Sequence, residues 1–473
     1  MAQPVFPNEA AAVSRTLLQL IDTSPLLTYK LELSLLVMVD NPVATIHLAN
    51  KRLLLRRYQE HWDRWLWTPL SEDLLPHFRR LPANIRGISL RTWKVSTGFE
   101  IMDYGFDAPQ NHLVAVAKAP LGSDRTYAYL MELDSGEPHR EAGTSLIELP
   151  LPSNARSLSD SLNILVNRRT VSFLKRWSEA ADASEPQQYI ELLLCDWTTG
   201  NITCVLRDPS IHSYTYLNER HVVLSRECKE GSCKTAGITV VDTAAGADEN
   251  FQPRQSVTLH SPLLGPQWLS VNTSVCCFPT SDFADLTHGQ APFYVDYKKR
   301  VLMLRVSCHG RNFRYDANDL YVLAETLFDY LPSGTGNRSV PWEEWGPPNT
   351  RLMPSDLLRF YRHPVYGSRA VRVTKDCRVN ILDFNPFAHQ SRGHNSAKRH
   401  SAPAIDSADS CMIAFPNVQT SLPYQVMTSN LQVTSNDAIM LSEDSIIATE
   451  TAAISGQYEL RPNLPTANTT QLG

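Results

Sequence analysis

The sequence predicts a mainly β chain: a β-propeller-like domain of about seven blades behind a short α-helical N-terminal segment. Three observations predict it. None of the 20 glycines precedes Gly87, and a glycine-free stretch suits helices, where an interior glycine costs up to ~1 kcal/mol. After Gly87 the apolar period falls to two, in strand-sized runs such as Leu113–Val116, Tyr127–Leu130, Ile190–Leu194, His221–Leu224, Ile238–Val241, Val301–Val306 and Val379–Leu382. Long helical patterns between those runs are scarce, which argues against alternating βαβ units. Finally, a strand–aspartate–turn form recurs at Asp134, Asp196, Asp242 and Asp383, with separations of 62, 46 and 141 residues. A period near 45 is that of a four-stranded propeller blade. The aspartate can accept hydrogen bonds from the next backbone N–H groups, and a following glycine supplies positive φ. The polar insertion Ser178–Gln188 accounts for the 62-residue interval, and 141 is three times 47.

The N-terminal segment reads as three helices. Val13, Leu17, Leu20 and Ile21 fall on one face of the first, which Pro25 ends by disfavouring helix at Ser24. The second runs from about Thr28 to Val39, until Asp40-Asn41-Pro42. The third runs from about Ala44 to Trp65, with Leu48, Leu55, Tyr58, Trp62 and Trp65 in one stripe. Trp62, Trp65 and Trp67 are expected to pack this helix against the β part. The domains expected are 1–26, 27–85 and a β region over 86–462. Residues 388–410 are poor in apolar side chains and read as a disordered insertion, and 463–473 as a disordered tail.

Composition limits function. The chain has 473 residues and a formal net charge of −5, from 44 basic and 49 acidic groups, so a nucleic-acid binder with a dominant basic field is not expected. No apolar run approaches the ~18–20 residues that span a bilayer, so no membrane partner is expected. No secretory signal is visible, and nine sparse cysteines fit reduced thiols in a cytoplasmic or nuclear protein. There is no P-loop, nucleophile elbow, HExxH or GxGxxG motif. No catalytic residue, cofactor or metal site is expected. Cys228 and Cys233 read as free thiols of a hairpin loop, with a zinc site as the alternative. Lys298-Lys299-Arg300 reads as a basic turn. His389, His394 and His400 lie five and six apart, not at a helix-face metal spacing.

The string Val340-Pro341-Trp342-Glu343-Glu344-Trp345-Gly346-Pro347-Pro348-Asn349-Thr350-Arg351 is more specific. It reads either as a plug over a blade edge or as a recognition feature with Trp342, Trp345 and Arg351 as candidate partner-binding residues, since Trp and Arg are frequent hot spots.

Three stretches, AVSRTLLQLIDTSPLLTYKLELSLLVMVDNP, RLLLRRYQEHWDRWLW and VPWEEWGPPNTR, resemble the F-box protein family of mushroom-forming (basidiomycete) fungi. In that family an F-box, a YK-x-EL…M-x-D-x-P segment and a helix ending in tryptophan precede a propeller-like region. The resemblance implies a non-catalytic, F-box-type substrate receptor, which docks on the Skp adaptor of a cullin-RING (SCF) ubiquitin ligase and binds a protein target. By the resemblance, Val13, Leu17, Leu20 and Ile21 are the adaptor-binding candidates. The F-box itself is N-terminally incomplete. Three helices need about 35–40 residues, and 21 stand up to Ile21, so adaptor binding is expected to be weak or lost. Alternatives are a propeller-type hydrolase or lyase, or a scaffold with no ligase link.

Overall fold

A computed structural model describes residues 20–450 except 22, 65–77, 81–94, 96, 98, 108–109, 119–124, 151–154, 159–161, 180–187, 231–232, 266, 279–290, 311–314, 333–335, 356–360, 375, 386–397, 401–413, 416–417, 434–436 and 442–445. The described residues hold seven sheets, six of them with four or five strands. The first sheet is a meander of Asp103–Asp107, His112–Lys118, Thr126–Glu132 and Leu146–Leu149. The second pairs Thr170–Glu179, Gln188–Asp196 and Asn201–Arg207, with Ala155–Leu158 and Asn163–Asn167 sharing its inner edge. The third comprises Ile211–Tyr216, His221–Glu230, Cys233–Asp242 and Gln255–His260, with Gly336–Val340 added in parallel. Trp268–Cys276, Val301–Gly310, Tyr315–Leu323 and Thr350–Pro354 make the fourth. The fifth contains Val365–Tyr366, Arg369–Val373, Arg378–Asp383, Tyr424–Gln432 and Lys398–His400. In the sixth, Asp437–Leu441 and Ile446–Glu450 lie between Tyr361–His363 and Phe78–Arg80.

These sheets pack face to face in chain order. Successive side chains of a strand point to opposite faces, and here each face meets a different neighbour. Leu193 and Cys195 of the second sheet pack with Val114, Val116 and Leu130 of the first. Leu192 and Leu194, between and beside them, pack with Tyr214, Val222 and Leu224 of the third. Ile238 and Val240 then meet Leu302 and Leu304 of the fourth. Met303 and Tyr321 meet Leu382 and Phe384 of the fifth, and Val371 and Ile381 meet Ile439 and Leu441 of the sixth. The sixth sheet joins both ends of the β region, because Phe78–Arg80 pairs with Ile446–Glu450. Consecutive small meanders, stacked through both faces and closed by a shared sheet, make the fold propeller-like. The β region thus draws on residues before 86. Lys398–His400, expected in a disordered insertion, form a strand against Tyr424–Gln432. The rest of 388–410 and the tail lie outside the described residues.

The aspartate repeat holds in three cases of four. Asp196, Asp242 and Asp383 each end the third strand of a meander, opposite the first residue of the second strand: Thr170, His221 and Arg369. Each carboxylate accepts from the backbone N–H two residues on, at 2.9, 3.0 and 3.0 Å. Asp134 is a correction. The strand-end position of the first sheet belongs to Glu132, opposite His112, and Asp134 lies two residues further, exchanging hydrogen bonds with Asn111. Glycine confirms that register. Gly136, Gly200 and Gly246, four residues after Glu132, Asp196 and Asp242, have φ of 73°, 76° and 72°, which a Cβ disfavours. In the fourth sheet helix α3 (Ala324–Asp329) follows the third strand directly.

The N-terminal helices differ in bounds from the expectation. Helix α1 spans Pro25–Leu35, since Ser24 caps it and Pro25 occupies its first turn. Pro25 therefore starts a helix as well as ending the one before. Val37, at φ 58°, stops α1, and Met38–Asp40 continue as a strand paired with Phe293–Val295. Helix α2 spans Leu48–Arg64 and buries Leu55, Tyr58 and Trp62 in one core with Phe293, Val371 and Ile381. Arg369 lies under this helix, donating to the Tyr58 hydroxyl at 3.1 Å, stacking 4.4 Å from the Trp62 ring and pairing with Asp383. Trp65 and Trp67 lie outside the described residues. Trp62→Ala is expected to cost about 3–5 kcal/mol, as for a large core aromatic, read as a lower midpoint in chemical unfolding.

Candidate interaction surface

Helix α1 is apolar on two opposite sides. Tyr29 and Leu33 are buried against the ring. Leu27 and Leu31 stand two residues before each of them, about 200° around the helix, and are 43% and 41% exposed. Leu20, in the helical turn before Ser24, is 53% exposed, and Leu26, about 100° around the helix from Leu27, is 48% exposed. An exposed apolar row, Leu27 and Leu31, on a helix whose other side is already packed is a surface that burial would stabilise. Of the adaptor-binding candidates, Leu20 is exposed and Ile21 is half-buried; Val13 and Leu17 lie outside the described residues.

The row is held rigidly from behind. The Tyr29 hydroxyl donates to Asp40 at 2.9 Å, and the Lys51 ammonium bonds the same carboxylate at 2.9 Å and the Asn41 carbonyl at 2.7 Å. Arg52 and Arg56 of α2 both donate to Glu32 of α1, at 3.2 and 3.0 Å. Asn41 in turn donates to the Ala291 carbonyl and the Tyr294 hydroxyl, both at 2.7 Å.

The candidate partner-binding residues at 342–351 are packed inward instead. Helix α4 (Trp342–Asn349) follows the edge strand of the third sheet and buries Trp342 and Trp345 in the core shared by the third and fourth sheets. The Trp345 indole donates to the His260 carbonyl at 2.8 Å. A Cβ at Gly346 would come within 2.2 Å of the Trp342 ring, so only glycine allows this approach. Arg351 is 2% exposed, bonds the Leu422 carbonyl at 2.9 Å and lies 5.1 Å from the Tyr424 ring. All three residues are buried, so the expectation that they stand out as exposed partner contacts is corrected. Arg300, expected in a basic turn, is likewise buried and donates to the Tyr216 and Leu217 carbonyls.

Cys228 and Cys233 sit on the two arms of one hairpin, opposite Thr235 and Glu230. Among the described residues no group of three or more His, Cys, Asp or Glu side chains is placed to hold a metal ion. Burial pushes the thiols of Cys195 and Cys308 up to about 12, which suppresses the reactive thiolate.

Two buried ionisable clusters had no sequence signal, because their members come from separate hairpins. In the second sheet, Glu191 lies directly between Lys175 and Arg207 on adjacent strands and pairs with both. Lys175 also donates to the Pro150 carbonyl at 2.7 Å. At the junction of the first two sheets, the rings of His112, His139 and Trp197 touch pairwise, with centroids 4.3–5.0 Å apart. His112 is fully buried and neither ring nitrogen has a hydrogen-bond partner. Burial, with His139 beside it, holds its pKa down at about 3. Asp107, opposite it in the hairpin, is raised by burial to about 6 despite a 2.6 Å hydrogen bond from Gln110.

No protein-family model matches this chain, and no curated protein sequence matches it. Among solved structures the chain is similar to the WD40 domain of SCAP from fission yeast, at 9% identity over 79% of this chain and 98% of that chain, with a TM-score of 0.22. At that score the superposition adds nothing to the sheet order described above. No helix among the described residues is long and apolar enough to cross a membrane.

The two perturbed groups oppose each other in pH dependence. Unfolded, His112 takes a proton near 6.5, but folded only near 3, so acid below 6.5 removes stability. Asp107 takes its proton near 6 when folded and near 3.8 when unfolded, so acid below 6 adds stability. Between about pH 4 and 6 the pair binds one proton in either state and its slopes cancel. Asp107→Asn is expected to lose ~1.4 kcal/mol relative to the parent chain per pH unit of acidification in that window. His112→Phe is expected to gain as much. Urea unfolding at pH 4.5, 5.5 and 6.5 measures both, and parallel profiles for all three chains would contradict the assignment.

Proposed function

We propose that this chain is a non-catalytic protein-interaction module, a propeller-like ring carrying a rigid N-terminal helical platform. The observation that supports it is the exposed row Leu27 and Leu31 on a helix whose opposite side is fixed to the ring. A partner helix laid on that row would bury it without reordering the chain, so little binding energy goes into preorganisation. In its finer form the reading is a substrate receptor of a cullin-RING ubiquitin ligase. The resemblance to basidiomycete F-box proteins supports that form, with the ring taking the protein target and the N-terminal helices facing the Skp adaptor. Stable complexes typically bury ~1,200–2,000 Å², and one leucine row offers only part of that. Adaptor affinity weaker than about 1 µM is therefore expected for the full chain by calorimetry.

The test compares the full chain with its Leu27→Ser/Leu31→Ser double variant as baits. Unfolding stability should change by less than about 0.5 kcal/mol per site, as for exposed positions. Captured proteins, quantified by mass spectrometry, should fall several-fold. Identical captures from both baits would remove the platform from the binding function.

A further inference from the structure

The exposed apolar side chains of this molecule are unevenly placed. Eleven large hydrophobic side chains stand exposed among the described residues, and six of them, Leu20, Leu26, Leu27, Leu31, Val43 and Leu53, fall between residues 20 and 53. The much longer ring carries the other five. The helical platform, and not the ring, is therefore where apolar surface is left for a partner to cover.

The rim of the leucine row is positive. Lys30, exposed on α1, lies about 60° around the helix from Leu27 and about 100° from Leu31. On the other side of Leu31, about 100° away, stands Glu32, whose one carboxylate is shared by Arg52 and Arg56 of α2. The Glu32 and Arg52 side chains are each 22% exposed and that of Arg56 is 58% exposed, so the charge presented outward on that side is a guanidinium. Lys30, Arg52 and Arg56 against Glu32 leave the rim at +2. Asp40 is taken by Lys51 behind the helix. Asp22 lies outside the described residues, but counting it does not change the sign. Residues 20–57 hold five bases and three acids, a net +2 in a chain of −5.

We propose that the leucine row of α1 takes an amphipathic helix of a protein partner, one whose apolar stripe is flanked by aspartate or glutamate. Leu27 and Leu31, one turn apart, form a ridge that fits a groove between the turns of a second helix. A helix seated there brings its flanks over Lys30 on one side and Arg56 on the other. Acidic flanks are drawn to both cations, and basic flanks are repelled by both. The same argument sets aside a second copy of this chain, because two such rows packed about a two-fold axis would set positive rim against positive rim. Exposed ion pairs add little affinity, so the rim selects the partner while the leucines hold it. The inference rests on the protein-interaction reading of this row and adds to it the charge of what binds.

The test uses the full chain and three fluorescein-labelled helical peptides of about 18 residues. Two share a leucine stripe, flanked by Glu in one and by Lys in the other. The third keeps the Glu flanks and has Ser in place of the stripe leucines. In fluorescence polarisation at low salt, the Glu-flanked leucine peptide is expected to bind at least about fivefold more tightly than the Lys-flanked one, and the Ser peptide not to bind at ~1 mM. Raising NaCl from about 50 to 300 mM should narrow the difference. Lys30→Glu/Arg56→Gln should reverse the order of the two leucine peptides. Leu27→Ser/Leu31→Ser should weaken both at least about tenfold. Thermal melts check that the variants fold. Equal affinity of the parent chain for the Glu- and Lys-flanked peptides, an order unchanged in Lys30→Glu/Arg56→Gln, or no binding of the Glu-flanked peptide at ~1 mM overturns the acidic partner. If protein capture still depends on Leu27 and Leu31 in that case, the interaction reading stands without it; if capture is also insensitive to those leucines, both fall. Two further results overturn the proposal. A dimer in sedimentation velocity that Leu27→Ser/Leu31→Ser abolishes makes the occupant a second copy. Flotation with vesicles of about 30% phosphatidylserine that Lys30→Glu abolishes makes it a lipid surface.

Discussion

A sheet covered on both faces is the constraint from which the rest of this molecule follows. In His112–Lys118 six consecutive residues are buried, because one set of alternate side chains packs on one neighbour and the other set elsewhere. Such a strand has no solvent side on which to place a charge. Burying an unpaired charge costs several kcal/mol, so those that enter the stack are held there by a carboxylate or, as for Arg300 and Arg351, by backbone carbonyls. Glu191 serves two cations on flanking strands, Arg305 faces Asp319 on the adjacent strand at 2.8 Å, and Arg369 meets Asp383.

The N-terminal helices obey the same rule at the rim. Tyr58 and Trp62 cover the fifth sheet and the Met38–Asp40 ribbon, and Arg369 ties the ring-end aspartate to the helix. A helical domain free to pivot about a linker would not need this joint. Here the exposed leucines of α1 keep a fixed orientation to the ring.

What the sequence made legible was local. Period-two patterning located the strands, and the Asp-to-Gly turn located the ends of third strands, since both depend on residues a few positions apart. Asp134 misled because an aspartate two residues past a strand end looks the same in text as one at it; Gly136, counted back four, pointed to Glu132. The stripe Leu55, Tyr58, Trp62 was legible for the same local reason. Partnerships across hairpins were not. His112, His139 and Trp197 are brought together by three separate turns, and Arg176 meets His212 across two sheets. Trp342 and Trp345 were ambiguous in principle, because a tryptophan that fills a core and one that anchors a partner are the same residue type.

The sixth sheet has a consequence for how this protein is made. Phe78–Arg80 leaves the ribosome hundreds of residues before Asp437–Leu441 and Ile446–Glu450, with which it forms a sheet. The joint between α2 and Arg369 likewise waits for the fifth sheet. At ~5–20 residues per second of synthesis, the early helices and that strand stay without their partners for tens of seconds, and pairing so distant in sequence is intrinsically slow. During that interval the apolar sides of α1 and α2 that will later face the ring are open to solvent. They are covered only when the last strands emerge.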